Sequence, residues 1–176
     1  MACALTTGRK LPAKQGFGGI KTVYFADYGT LGTVAVNADG TIDSFAGSPV
    51  WFQYDIKGNS SLETTINSSR ENGTNFYAQT LNLTLTYLEA ATQQEIQLLA
   101  INRPHLVVED YLGNQFLCGL ENGVECTGGT IVTGAGAGDL SGFTLTFEGQ
   151  EEKAPAFVDA GLITGSATQI EPNTCV

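Results

Sequence analysis

One stretch of this chain, residues 50–87, restricts the possible folds more than any other. Apolar and polar side chains alternate near its start, and leucines alternate with polar residues from Leu81 onward. A period of two is typical of β-strands, in which successive side chains point to opposite faces. Asn72-Gly73, between these segments, is a strong signal for a hairpin turn. The pattern therefore predicts one long antiparallel hairpin over residues 50–87.

The middle of this hairpin, residues 59–80, is too polar to be buried inside its own domain. Open strand edges invite unwanted pairing, and natural proteins usually cover them. The simplest cover is a second copy of the chain. Our hypothesis therefore places contacts between copies at the following residues: Trp51, Leu62, Ile66, Arg70, Asn72, Gly73, Phe76 and Tyr77.

Trp51 stands apart from its apolar neighbours, because it falls on the side of the strand opposite Val50, Phe52 and Tyr54. Two interpretations remain open. Either this strand is covered on both faces, or Trp51 anchors a contact with another subunit.

The composition favours an all-β domain with many turns. The chain has 176 residues, of which 22 are glycine, 42% are hydrophobic and 15% are charged. This balance is too apolar for a disordered chain, and the length suits one domain with a single core. We therefore expect a mainly β fold, an antiparallel β-sandwich or barrel with one α-helix and a long protruding hairpin.

The single helix is predicted over residues 88–102. Leu88, Ala91, Thr92, Ile96 and Leu99 recur at the three-and-four spacing of one helical face. Pro104 marks the end, because proline cannot continue the helical hydrogen bonds. We expect this helix to plug one opening of the sandwich.

The remaining segments flank a sandwich domain predicted at residues 20–150. An N-terminal arm, residues 1–19, is the one locally basic segment, and its GFGG sequence lacks the Gly-Lys-Ser/Thr ending of a phosphate loop. We expect this arm to pack on a neighbouring molecule. Residues 151–176 form a C-terminal extension, either an ordered arm or a late strand.

The charge balance argues against a protein that wraps nucleic acid. The formal net charge is −10 and the sequence pI is about 4.3, whereas phosphate binding needs clustered Lys and Arg. An acidic chain fits either simple solubility or the wall of a passage through which a polyanion slides without sticking.

The cysteines and the histidine give no sign of a metal or cofactor site. The four cysteines, Cys3, Cys118, Cys126 and Cys175, include no CxxC pair, and His105 is the only histidine. We expect reduced thiols with Cys118 buried, while a Cys118–Cys126 link across a turn stays open. No apolar run has the length of a membrane span or the character of a secretory signal.

No catalytic set emerges from the sequence. Any Ser-His-Asp or Cys-His arrangement must use His105, which lies beside apolar residues at a strand start and better suits a structural role. Glu109 and Asp110 are neighbours in a strand and point to opposite faces, so we do not expect them to share a proton. The sequence therefore favours a protein without enzymatic activity.

The order of elements resembles the tail tube proteins of tailed bacteriophages, which are related in fold to the tubes of type VI secretion. The resemblance covers residues 50–149. SLETTINSSRENGTNFYAQTLNLTLTYL is similar to the family's hairpin, LEAATQQEIQLLAIN stands where the family has its helix, and FTLTFEG ends the last strand.

This resemblance implies a β-sandwich that assembles into stacked rings of six subunits, with the inner sheets joined into a continuous barrel. Asn82, Thr84 and Thr86 would then face a wet lumen, through which DNA passes without specific binding. The implied partners are copies of the chain itself and other tail proteins, without a membrane or a cofactor. The implied location is the virion tail, after assembly in the host cytoplasm.

Two other classes of protein fit parts of the pattern. A phage head or capsid-decoration protein would share the acidic, glycine-rich β composition but would need no inner barrel. A small enzyme or sugar-binding domain would need a pocket with convergent polar groups.

Overall fold

The computed structural model describes residues 7–56, 59–159 and 161–163 and shows a two-sheet β-sandwich with one helix, which confirms the predicted fold class. The elements are β1 (Ile20–Ala26), β2 (Val34–Val36), β3 (Ile42–Phe45), β4 (Phe52–Asp55), β5 (Ser61–Ser69), β6 (Thr74–Thr86), α1 (Ala90–Ile101), β7 (His105–Asp110), β8 (Gln115–Cys118), β9 (Glu125–Val132), β10 (Gly142–Glu151) and β11 (Ala156–Val158).

The strands form two sheets of unequal width. The larger sheet has the order β2-β3-β11-β8-β7-β1-β4, and only its β3–β11 contact is parallel. The smaller sheet has the order β5-β6-β10-β9 and is antiparallel throughout.

An inner core fills the space between the two sheets. The smaller sheet contributes the inward side chains of β6 and β10, and the larger sheet contributes those of β1 and β7. The main buried members are Leu81, Leu83, Leu85, Phe143, Leu145, Phe147, Val23, Phe25, Leu106 and Val108. Removing these side chains from water is the main source of stability for a domain of this kind.

The larger sheet is buried on both faces, because an outer core covers its second side. Tyr24, Val107 and Leu117 contribute to this outer core together with Trp51, which is 3% exposed and lies 5.9 Å from Phe45 between ring centroids. The first interpretation of Trp51 is therefore correct, and its predicted contact with another subunit is wrong.

The hairpin is shorter than predicted and spans residues 61–86, from β5 through a turn at 70–73 to β6. Gly73 in this turn has a φ of +62°, a backbone conformation that glycine adopts without strain. The segment Phe52–Asp55 instead pairs with β1 in the larger sheet. Its alternation is a genuine strand signal, but a period of two does not identify the partner strand.

The helix closes one opening between the sheets, as predicted. Ile96 is buried in the inner core, and Leu88 and Leu99 pack against it. The helix ends at Asn102, whose backbone N–H donates to the Leu98 carbonyl at 3.0 Å. Pro104 follows, and its ring prevents a further turn.

The sandwich includes part of the predicted C-terminal extension, because β10 continues to Glu151 and β11 inserts between β3 and β8; of the two alternatives left open for this extension, residues 156–158 form the late strand. Val158 of β11 is buried in the outer core, so this part of the C-terminal extension belongs to the sandwich. Residues 160 and 164–176 of the predicted extension, which include Cys175, lie outside the described residues, as does Cys3.

Candidate assembly surface

The outward side chains of the smaller sheet form a polar surface rich in hydroxyl groups. Because Leu81, Leu83 and Leu85 point into the core, Asn82, Thr84 and Thr86 point outward. The neighbouring strands extend this surface with Ser61, Thr65, Thr80, Thr130, Thr144 and Thr146. We call it the threonine face. The outward position of the three predicted residues is confirmed, and their place in a lumen stays a prediction.

Hydrogen bonds between neighbouring strands tie the polar groups of the threonine face to one another. The Thr146 hydroxyl donates to Asn82 Oδ1 at 3.1 Å, and the hydroxyls of Thr130 and Thr144 share a bond of 2.5 Å. The Thr84 hydroxyl donates to the Asn59 carbonyl at 3.0 Å. These groups satisfy one another across the strands, so the face combines a polar surface with ordered side chains.

A row of glutamates crosses the threonine face. Glu63 on β5 lies opposite Thr80 on β6, Thr80 lies opposite Glu148 on β10, and Glu148 lies opposite Glu125 on β9. All three glutamates are exposed, and none of the four strands contains a lysine or an arginine. The face is therefore uniformly acidic.

Glu125 and Glu148 lie directly opposite each other on paired strands, where like charges are destabilising. The row cannot be recognised from the sequence alone, because it depends on the register of all four strands. One signal was present: Glu148 alternates with inward Phe147, which places Glu148 outward. For the glycine-rich segment of β9, however, the sequence predicts two weak strands at residues 124–127 and 129–133, whereas the structure has a single strand there.

Both edges of the smaller sheet are open within the described residues. Strand β5 pairs only with β6, and β9 pairs only with β10. Because the four strands alternate in direction, the two edge strands run opposite ways. A β5 edge of one copy placed beside the β9 edge of another, in the same orientation, would therefore pair antiparallel.

The tip of the hairpin extends past β10. The register of β10 on β6 ends at Tyr77, so the last three pairs of the hairpin, formed by residues 67–69 and 74–76, have only each other as partners. Near this tip, Ile66 is 65% exposed and Phe76 is 36% exposed. These two apolar side chains have the exposure that a contact between copies requires.

The other predicted contact residues divide into two groups. Arg70, Asn72 and Gly73 are exposed in the turn, where the Asn72 N–H donates to Ser69 Oγ at 3.3 Å. Leu62 and Tyr77 are half-buried, and Leu62 packs on the inner core. Whether any of them touches another copy stays a prediction.

His105 is held by backbone groups on both ring nitrogens. Its Nδ1 lies 2.6 Å from the Gly119 carbonyl and therefore carries the proton, while Nε2 accepts from the Gly29 N–H at 3.0 Å. Burial lowers the pKa of His105, outweighing the bond to Gly119, and the charge of Arg103 lowers it further. Neither nitrogen is free to move a proton to a substrate, which agrees with the structural role predicted for this residue.

Glu109 and Asp110 bind separate partners, as predicted. Glu109 accepts from Lys21 at 2.8 Å and from the Tyr24 hydroxyl at 3.2 Å, whereas Asp110 accepts the backbone N–H groups of the following turn. Burial alone would raise the pKa of Glu109, but these hydrogen bonds outweigh it and the pKa is lowered. Burial and the Glu109 charge also raise the pKa of Tyr24 to about 12.

Cys118 and Cys126 are free thiols, so the link left open between them is not formed. Cys118 is fully buried, as predicted, and burial raises its pKa to about 12. A thiol in this state is a poor nucleophile.

Among the described residues, no three His, Cys, Asp or Glu side chains gather closely enough to hold a metal ion. No helix in the same part of the chain is long and apolar enough to span a membrane.

Comparisons with protein family models, with curated proteins and with solved structures gave no significant match.

Proposed function

We propose that this chain is a virion structural protein that assembles into rings and forms the tail tube of a tailed bacteriophage. The observation that carries the proposal is the smaller sheet, which combines a polar, uniformly acidic outward face with two open edges. Open edges are unfavourable in a lone molecule and would be covered when copies join edge to edge. The acidic faces would then line the channel that the ring encloses.

The strand directions support a closed ring. Joining β9 of one copy to β5 of the next continues the antiparallel alternation around the whole assembly, so no parallel step interrupts the barrel. The two edges also match in length, since β5 has nine residues and β9 has eight. A ring of six copies, as the resemblance implies, would bring the threonine faces together around one channel.

The charge of the face suits the passage of DNA. Each copy would add Glu63, Glu125 and Glu148 to the wall, with no basic group on the same strands to bind phosphate. At physiological ionic strength the repulsion reaches only about 8 Å. It would therefore keep DNA off the wall without opposing entry along the axis.

Electron microscopy of the purified chain tests the assembly directly. We expect rings or stacked tubes with a central channel. A compact monomer at high protein concentration would contradict the proposal, and a chain that binds empty capsids without self-assembly would instead favour a decoration protein.

A matched pair of substitutions tests the direction of the threonine face. Asn82→Lys places a positive charge on the face, and we expect virions with this variant to deliver DNA more slowly because phosphates then bind the wall. Asn37→Lys makes the same change at an exposed turn of the larger sheet and should leave delivery unchanged. Equal rates of DNA delivery for the two variants would contradict the proposal that the threonine face lines the lumen.

A further inference from the structure

The sandwich has a second opening, on the side of β5, that α1 does not reach. Inner-face residues of β1, β7 and β8 form one wall, and Leu62 and Thr64 of β5 form the other. The groove encloses about 460 Å³, and its lining is mainly apolar, with Ile20, Val108 and Phe116 on the larger sheet. Within the described residues it stands open to water, which is costly for apolar surface.

The N-terminal arm carries apolar side chains that are largely exposed to solvent. Leu11 is 97% exposed and Phe17 is 65% exposed. Among the described residues, Phe17 has one ring contact, with Tyr111, at 5.0 Å between ring centroids. Residues 7–18 lie in no strand or helix, so this backbone is available to follow a groove.

Charge favours the docking of this arm on an acidic body. The arm carries Arg9, Lys10 and Lys14, which are three of the eight basic residues of the chain, and none of its 18 acidic residues. Asp110 is the one charged residue that lines the groove among the described residues. Opposite charge on an arm and its target speeds association and fixes orientation more than it adds affinity.

We propose that the N-terminal arm of one copy lies in the β5-side groove of another copy, with Leu11 buried against Leu62 and Phe116. A second copy fits better than the same molecule. Gly19, at the end of the arm, borders the groove, but no other described residue of the arm lines it and Leu11 is 97% exposed, so the arm lies outside the groove of its own molecule.

This inference goes beyond the proposed function, because arm exchange joins copies whether or not they form a tube. It uses the inner side of β5, whereas ring closure would use the backbone edge of the same strand. The two contacts are therefore separable by experiment.

Directed disulfide formation between two distinguishable chains tests the inference. Both chains carry Cys3→Ser, Cys126→Ser and Cys175→Ser and keep the buried Cys118. One chain adds Leu11→Cys, the other adds Thr64→Cys with a different tag, and the two are co-expressed and mildly oxidised. We expect a product that contains both tags, since cysteines in a docked arm and its groove come within bonding distance.

Two controls decide the outcome. An acceptor at Asn37→Cys, on an exposed turn of the larger sheet, should give little mixed product. If the yield equals that with Thr64→Cys, or if no mixed product forms, the proposal is overturned. A chain carrying both Leu11→Cys and Thr64→Cys that forms only an intramolecular disulfide would assign the groove to its own arm. A chain carrying both Ile170→Cys and Thr64→Cys that forms only an intramolecular disulfide would assign the groove to its own C-terminal segment.

A second measurement does not depend on cysteines. Leu11→Asp alters a side chain that is almost fully exposed, so the fold of the single chain should be unaffected. We expect association between copies to weaken about tenfold or more, because a buried leucine is lost, while Leu11→Met should retain it. Rings that assemble equally well with Leu11→Asp would contradict arm docking and leave the proposed tube intact.

Discussion

At the residue scale, His105 is held by contacts with a ring and with two backbone groups. Its ring stacks on the ring of Tyr28, with 5.1 Å between ring centroids. The guanidinium group of Arg103 lies over the same Tyr28 ring, with its central carbon 4.2 Å from the ring centroid. The ring also joins two loops, through Gly29 on one side and Gly119 on the other. A proton on Nε2 would remove the acceptor of the Gly29 N–H and add a positive charge near Arg103.

We therefore expect stability to fall in mild acid. The native pKa of His105 is lowered, so below the usual value of 6.5 the unfolded chain binds a proton that the native state does not. The free energy of unfolding should decrease as pH falls from 6.5 towards the native pKa. Denaturant unfolding at a series of pH values measures this loss.

A direct titration separates His105 from the carboxylates, which also respond to acid. Since the chain has one histidine, the ring protons give a single assignable pair of NMR signals. These signals should remain those of the neutral ring below pH 6.5. A midpoint at or above 6.5 in the native protein would contradict the hydrogen-bonding scheme described for this residue.

The role of His105 was predictable from the sequence, but its partners were not. Its apolar neighbours Leu106, Val107 and Val108 indicate burial, and a buried histidine without an acidic neighbour is usually structural. Gly29 and Gly119 lie in loops 76 and 14 residues away along the chain. Such contacts follow from the order of strands in the larger sheet, which a single sequence does not specify.

At the element scale, α1 stabilises the sandwich through very few side chains. Ile96 is its one buried residue among those described, and Ile101, near its end, is 87% exposed. The helix therefore behaves as a cover fixed at one central point, with Leu88 and Leu99 packed at its margins.

The two isoleucines provide a matched test of this arrangement. Ile96→Ala removes buried methyl groups and leaves a cavity, and we expect it to lower the free energy of unfolding by about 2–4 kcal/mol. Ile101→Ala should change it by less than about 0.5 kcal/mol, because the side chain is already in water. Chemical denaturation of both variants measures the difference, and equal effects would mean that the helix does not close the inner core.

Local patterns predicted the elements better than their partners. The apolar spacing that includes Ile96 and Leu99, together with the stop signal of Pro104, predicts both ends of the helix to within two residues. Strand β4 is equally visible in the alternation, yet it was assigned to the hairpin although it pairs with β1. Strand β11 was left open, because its short apolar segment among glycines gains a defined place only between β3 and β8.

At the scale of the whole molecule, association should be separable from folding. Ile66 points towards the inner side of the smaller sheet but is 65% exposed, since the larger sheet does not cover this end of β5. It contributes little to the core of its own chain. The predicted contact of Ile66 with another copy stays a prediction.

Substitution of Ile66 tests this separation. We expect Ile66→Lys to abolish rings in electron micrographs while thermal unfolding of the single chain stays nearly unchanged. Ile101→Lys introduces the same charge in place of another exposed isoleucine and serves as the control. If both variants assemble normally, the hairpin tip is not part of the subunit contact.

The position of Trp51 has a practical consequence for such experiments. It is the one tryptophan of the chain, and it lies in the outer core, on the side of the larger sheet that faces away from the hairpin and the threonine face. Its fluorescence emission should therefore shift when the sandwich unfolds and stay constant when edges of the smaller sheet join. A single optical signal can thus follow denaturation in a sample whose light scattering independently reports polymer growth.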